Sequence, residues 1–295
     1  MERKTAHDFD QDLLILFDAY VHGVIDRRSF LDQAKKFAVG GVTAAMLLDQ
    51  LSPKFAEAQV VPRDDARLAA EYVEYDSPNG YGKMRGYLAV PAKATGKLPG
   101  VLVIHENRGL NPHIEDVARR FALANFVAFA PDALFPLGGY PGDEDKAREL
   151  FPKLDQAKTR EDFVAAVGFL KARPESTGKV GAVGFCYGGG MVNYLATRLP
   201  DLGAGVAFYG SAPNVEDVPK IKAPLLIQSA EVDERINASW PAFEQALKAA
   251  NVKYERFQYP GTQHGFHNDT TPRYNAEAAK LAWERTVAFF NKNLR

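Results

Sequence analysis

The stretch that most constrains what this chain can fold into is Lys179-Val180-Gly181-Ala182-Val183-Gly184-Phe185-Cys186-Tyr187-Gly188-Gly189-Gly190. A β-rich run enters a glycine-bracketed residue, and a helix-forming segment through Met191 and Val192 leaves it. That is the strand–turn–helix setting of a nucleophile elbow, written here G-x-C-x-G in place of G-x-S-x-G. Such a turn holds its central residue in a sparsely allowed backbone conformation, so the residues two positions either side must be nearly free of side chain. It lifts the central side chain clear of the sheet and aims the following N–H groups at a reacting carbonyl. Cys186 is the chain's only cysteine, which excludes an intrachain disulfide and any multi-cysteine metal site. The plainer reading is a buried apolar cysteine in a glycine-rich strand–helix joint.

An elbow requires a sheet, and the chain from Leu68 supplies one. Glu71–Tyr75 and Met84–Val90 alternate like strands around the turn residues Ser77-Pro78-Asn79-Gly80. Continuous apolar runs follow at 100–105, 126–131, 205–209 and 224–228, the pattern of strands covered on both faces, with a last strand at 254–259. Helical segments fall at 114–125, 160–172, 239–250 and 276–293, and 135–155 reads as a surface excursion with a short helix. Strands alternating with helices predict an α/β fold, a mostly parallel central sheet with helices on both faces. With 46% hydrophobic and 25% charged residues, the chain can bury a substantial core. A formal net charge of -1 gives no sign of a nucleic-acid partner, and no apolar run reaches the ~18 residues of a membrane span.

Residues 1–58 read differently from the domain expected over 59–295. Asp8–Gly23 fits a short amphipathic helix with Leu13, Leu14, Phe17 and Val21 near one side. Arg27-Arg28-Ser29-Phe30-Leu31 is a twin-arginine pattern, followed by a mildly apolar stretch over 37–48 and by Ala56-Glu57-Ala58, an A-x-A cleavage site. That order predicts a twin-arginine export signal and a periplasmic protein. The alternative is a retained helical arm packed on the body of a cytoplasmic protein.

Groups that do chemistry in such sheets gather at the carboxyl ends of the strands. After 224–229 comes Glu231-Val232-Asp233-Glu234-Arg235, and after the last strand Gly261-Thr262-Gln263-His264-Gly265-Phe266-His267. Nucleophile, acid, then histidine is the chain order of an α/β-hydrolase triad. We assign Cys186, Asp233 and His264, with Glu231 and Glu234 competing for the acid and His267 for the base. The backbone N–H groups of Tyr187 and Asn107 are the expected oxyanion donors. Glu106 sits in the loop after 101–105 where a carboxylate reaches Cys186; with Arg108, its plainer reading is a local surface ion pair. His264, His267 and Asp269 form H-x-x-H-x-D, but the helical setting of a metal site is missing, so neither metal nor cofactor is expected. His7, His22 and His113 are expected at the surface.

These residues resemble the dienelactone hydrolase family, from about Leu68 to Leu294. The resemblance rests on Gly184–Gly190, on His105-Glu106-Asn107-Arg108-Gly109, and on His264 after Tyr259-Pro260-Gly261. It implies a Cys186–Asp233–His264 triad attacking a lactone or ester through a thioester, as in a carboxymethylenebutenolidase. It also implies that Glu106 holds the resting thiol and takes part in its deprotonation. The family's founding members bind a substrate carboxylate with arginines, but Pro131–Pro136 and His264–Asn268 contain none. Arg108, Arg235 and Arg273 are the available substitutes. A general carboxylesterase, a single-cysteine peroxidase and an inactive binding module on the same fold are the competing readings. The last would be expected to lack a member of the triad.

Overall fold

The computed structural model describes residues 4–54 and 59–295. Eight strands form one sheet in the order β1-β2-β4-β3-β5-β6-β7-β8. They are β1 (Leu68–Ser77), β2 (Gly82–Pro91), β3 (Leu98–Ile104), β4 (Val127–Pro131), β5 (Ser176–Phe185), β6 (Ala204–Phe208), β7 (Leu225–Val232) and β8 (Tyr254–Gln263). β2 runs antiparallel to both β1 and β4; the pairings from β4 through β8 are parallel. All eight coincide with strand segments expected from the sequence. The central ones are legible because a strand buried on both faces must be apolar at every position.

The helices of residues 1–54 are α1 (Gln11–Val21), α2 (Arg27–Ala34) and α3 (Ala44–Leu51). Those of the body are α4 (Pro112–Leu123), α5 (Glu144–Leu150), α6 (Gln156–Ala172), α7 (Tyr187–Arg198), α8 (Glu234–Asn237), α9 (Trp240–Ala249) and α10 (Ala276–Leu294). One face of the sheet buries Phe121, Phe126 and Phe290 of the α4 and α10 layer; the other buries Phe163, Leu170 and Leu195 of α6 and α7. The elbow therefore stands on a sheet packed on both sides.

α1–α3 have a core of their own, built from Leu13, Leu14, Phe17, Tyr20, Phe30, Leu47, Leu48 and Leu51 with small neighbours. Each helix begins on a side-chain cap: Asp10 accepts from Asp12 N–H, Asp26 from Ser29 N–H and Thr43 from Met46 N–H. Within the twin-arginine run, Phe30 is fully buried and Arg27 pairs with Asp145 of the body. Ala56-Glu57-Ala58 lies outside the described residues. This small bundle rests on the carboxyl end of the sheet. Tyr20 donates to Asp145, Arg273 Nη1 donates to Asp18 Oδ1 at 3.0 Å, and Asn107 Nδ2 donates to the Val21 carbonyl at 3.1 Å. We call it the cap.

Candidate active site

Cys186 occupies the turn between β5 and α7 with φ 56° and ψ -113°. A non-glycine residue at positive φ is strained and persists only where the surroundings over-determine it. Here glycines do so: a Cβ on Gly184 would strike the Gly188 carbonyl, and one on Gly188 would strike the Ile104 carbonyl. The Cys186 N–H donates to the Phe208 carbonyl at 3.1 Å, which ties the elbow to β6. Tyr187 is the first residue of α7, so its N–H has no acceptor inside the helix and lies at the helix's positive end.

His264 follows β8 and is buried. Its Nδ1 donates to Asp233 Oδ2 at 2.6 Å, leaving Nε2 without a hydrogen-bond partner among the described residues. Asp233 is held by the turn it makes as N-cap of α8, where its other oxygen faces the Ile236 N–H at 3.4 Å. Of the competing acids, Glu231 accepts from the Gly261 N–H and Glu234 begins α8, so Asp233 is the one that meets the imidazole.

The loop after β3 carries Glu106, Asn107 and Arg108, and His105 anchors it. His105 Nε2 accepts from the Ala133 N–H at 3.1 Å, so its proton is on Nδ1, which faces the Glu106 carbonyl. Burial pushes the His105 pKa down to about 4, which keeps the ring neutral. The Glu106 carboxylate accepts from Asn268 Nδ2 at 3.0 Å. Arg108 is buried, its Nη1 on the Asn107 side-chain oxygen at 2.6 Å and its Nε 3.2 Å from Glu144. Its ionic partner is thus Glu144 on α5, not Glu106.

The largest departure from expectation is His22. It is not a surface residue: it sits at the C-cap of α1 with its Nε2 3.3 Å from Cys186 Sγ. Its Nδ1 lies 2.8 Å from the Asp18 carbonyl and 3.2 Å from the Asp18 carboxylate, and its ring meets that of His264 edge-on at 4.6 Å. Asp18 and His22 one turn apart on an amphipathic helix were the visible signal, but nothing local says where such a pair points. His113 is also buried, its Nδ1 3.0 Å from an Asp269 carboxylate oxygen, because α4 presses that end against the loop after β8. The H-x-x-H-x-D residues are not gathered: His264 faces Asp233, His267 stacks on Phe185, and Asp269 binds Arg120 and His113. The described group whose donor atoms could hold a metal ion is His22, Cys186 and His264, all within 4.8 Å of one another.

Burial alone would raise the Cys186 thiol, but the adjoining His264 and His22 outweigh it and bring the pKa down to about 6. Burial works against the charged His264 imidazole, yet Cys186 and Asp233 raise its pKa to about 10. A thiolate–imidazolium pair is therefore favoured across neutral pH.

The site lies at the bottom of a cavity of about 40 Å³ beneath the cap, lined by Cys186, His22, His264, Glu106, Arg108 and Arg273 among others. Beside it, between α1 and the β7–α8 loop, runs an open groove of about 960 Å³ that shares His264 and Arg273. Leu14, Ile15 and Val24 give it an apolar wall, and Asp233 and Arg235 lie opposite.

The dienelactone hydrolase family model matches residues 84–294, which contain every element of the elbow, acid and histidine loops. This chain belongs to the dienelactone hydrolase family. A second model, described as YqhI-like, matches residues 1–39. A Synechocystis protein named "Putative carboxymethylenebutenolidase" is 35% identical over 236 residues, covering 74% of this chain and 95% of its own. A crystal structure titled as a putative dienelactone hydrolase from Klebsiella pneumoniae superposes with TM-score 0.68 at 30% identity, covering 76% of this chain and 99% of that one. The dienelactone hydrolase-like promiscuous phosphotriesterase P91 from metagenomic libraries superposes with TM-score 0.67 at 25% identity, covering 78% and 100%. The chain is thus a hydrolase of the class that acts on esters and lactones.

Proposed function

We propose that this hydrolase cleaves a lactone or carboxylic ester through a Cys186–His264–Asp233 triad and a thioester intermediate. The observation that carries the reading is a thiol raised on a strained elbow within 4.8 Å of a ring nitrogen of His264, whose Nδ1 is fixed by Asp233. The thiolate attacks the carbonyl carbon, and the oxyanion is received by the N–H groups of Tyr187 and Asn107. The C–O bond then breaks, and His264 gives its proton to the departing alkoxide. Water, deprotonated by His264, releases the acid and restores the thiol.

The groove favours a neutral substrate with an apolar portion. The guanidinium of Arg273 is already committed to Asp18 and stacks over Phe17, so recognising a substrate carboxylate there would require displacing Asp18. Parallel assays with a dienelactone and a neutral aryl ester test this: turnover of the ester alone is expected, and preference for the dienelactone would reject it. A peroxide-consumption assay tests the peroxidase alternative, for which no activity is expected.

For residues 1–58 we propose the retained arm. Support comes from the buried ring of Phe30, the Arg27–Asp145 pair and the contact of His22 with the thiol. Export with cleavage after Ala58 would remove all three. The intact mass of the protein from its native host decides: a chain beginning near Met1 is expected, and one beginning at Gln59 would restore the export signal and the periplasm.

A further inference from the structure

Two histidines converge on one sulfur, and the triad accounts for only one of them. The second arrives from the cap, and its surroundings match the first. His22 Nδ1 sits 2.8 Å from the Asp18 carbonyl oxygen, which can only accept, so Nδ1 carries a proton and Nε2 is left facing Sγ at 3.3 Å. His264 has the same arrangement, with Nδ1 fixed by Asp233. Asp18 is in turn held by Arg273 Nη1 at 3.0 Å, with Arg235 3.9 Å away, so its carboxylate stays ionised beside His22.

We propose that His22 is a catalytic residue: the Asp18–His22 pair of the cap is a second acid–base dyad for Cys186, and the cap completes the nucleophile. This rests on Cys186 being the nucleophile. The step it performs is a single proton transfer. The Sγ–H bond breaks, an Nε2–H bond forms on His22, and a neutral thiol–imidazole pair becomes a thiolate–imidazolium pair along the same hydrogen bond. With the thiol proton on His22, His264 keeps the proton it gives to the departing alkoxide and only then acts as the base for the hydrolytic water. The charged and titratable groups around this sulfur come from several elements. They include Asp18 of α1 and its C-cap His22, His264 and Arg273 of the segment after β8, Tyr209 after β6, Asp233 before α8, Glu106 and Arg108 after β3, and Glu144 of α5. Among them the two imidazoles each bring a ring nitrogen within 4.8 Å of Sγ.

A residue that merely fills the site and one that takes the thiol proton differ in a measurable way. A residue that only plugs the site would, when removed, expose the thiol and raise activity at every pH. A residue that takes the thiol proton would, when removed, raise the thiol pKa and cost activity only where the thiol is then protonated. The test uses the full-length chain with His22→Gln, which keeps an amide near the sulfur but cannot accept its proton, and His22→Ala as a second variant. Iodoacetamide alkylation of Cys186 is followed against pH beside ester hydrolysis, with thermal melting to establish that each variant is folded.

We expect the alkylation midpoint to move up from about 6 in both variants. A one-unit rise would lower the alkylation rate roughly tenfold at pH 5, and ester hydrolysis would fall with it and recover at high pH. An unmoved midpoint in folded variants, or faster hydrolysis across the whole range, would overturn the proposal. Cys186→Ala in the same assay keeps the two readings apart. If it still hydrolyses ester, the thioester mechanism fails, whereas the alkylation profile of His22→Gln reports on the dyad whether or not ester is turned over.

Discussion

His264 and His22 reach the same sulfur from foundations of different strength. His264 belongs to a loop at the end of an eight-stranded sheet with a core on each face. His22 hangs from the last turn of an 11-residue helix in a three-helix cap, whose own core is ten buried residues. Isolated helices of that length are marginal, so the cap's order depends on its small core and on its polar contacts with the body. The difference separates two functions within one site. The body carries Cys186, Asp233 and His264 on one frame, the rigidity that the proposed acyl transfer requires, while the cap brings His22 from a separate small core. The cavity of about 40 Å³ at the thiol lies beneath the cap, and the open groove of about 960 Å³ adjoins it at His264 and Arg273.

The comparison can be broken at several points. Cys186→Ala should cost the most, at least about ten-thousand-fold in ester hydrolysis, and Cys186→Ser should recover little because the site is arranged for a thiolate. Full activity in the alanine variant would remove the basis for both dyads. Next, Asp233→Asn should lower kcat by about a thousand-fold with the fold intact, since the amide no longer fixes Nδ1–H of His264. A loss equal to that of His22→Gln would mean that the two histidines are not unequal partners. For His22→Gln a loss of roughly tenfold at low pH, vanishing as pH rises, is expected.

Phe30→Ala touches no catalytic group but removes a fully buried ring from the cap core. It should destabilise the cap by about 3–5 kcal/mol and leave the melting of the body nearly unchanged. Limited proteolysis should then cut within 4–54 first. A single cooperative loss of both regions would show that cap and body fold as one unit. Smallest of all, treatment with a chelator should leave ester hydrolysis unchanged. A fall in activity restored by zinc would make His22, Cys186 and His264 a metal site instead.

Much of the body could be read from residues because its determinants are local. Val101–Ile104 and Leu225–Ile227 are apolar at successive positions, and Gly184 is required by the Gly188 carbonyl one turn away. Asp233 and His264 are separated in sequence, yet both sit where any sheet of this kind places them, at strand ends. The cap obeyed no such rule. Arg27 to Leu31 carries the letters of an export signal, and only three-dimensional packing shows Asp26 capping α2 and Phe30 buried. His22 and Cys186 are 164 positions apart, and no periodicity links a helix end to an elbow. His113 is buried for a related reason, since its partner Asp269 lies on a loop brought in only by the fold.

The pH dependence follows from the same geometry. Burial pushes the thiol up, but the two imidazoles overcome it and leave Cys186 near 6, while Cys186 and Asp233 hold His264 near 10 against its burial. Activity should therefore rise as pH increases through about 6, hold while the thiolate–imidazolium pair persists, and fall as His264 loses its proton near 10.

The most direct measurement is the mass of the chain itself during turnover. Rapid acid quenching with a saturating aryl ester, followed by intact-mass and peptide analysis, should find the chain heavier by the acyl group. The added mass should lie on the peptide containing Cys186 and be released by hydroxylamine. Sustained hydrolysis with Cys186 unmodified, and undiminished in Cys186→Ala, would contradict the account.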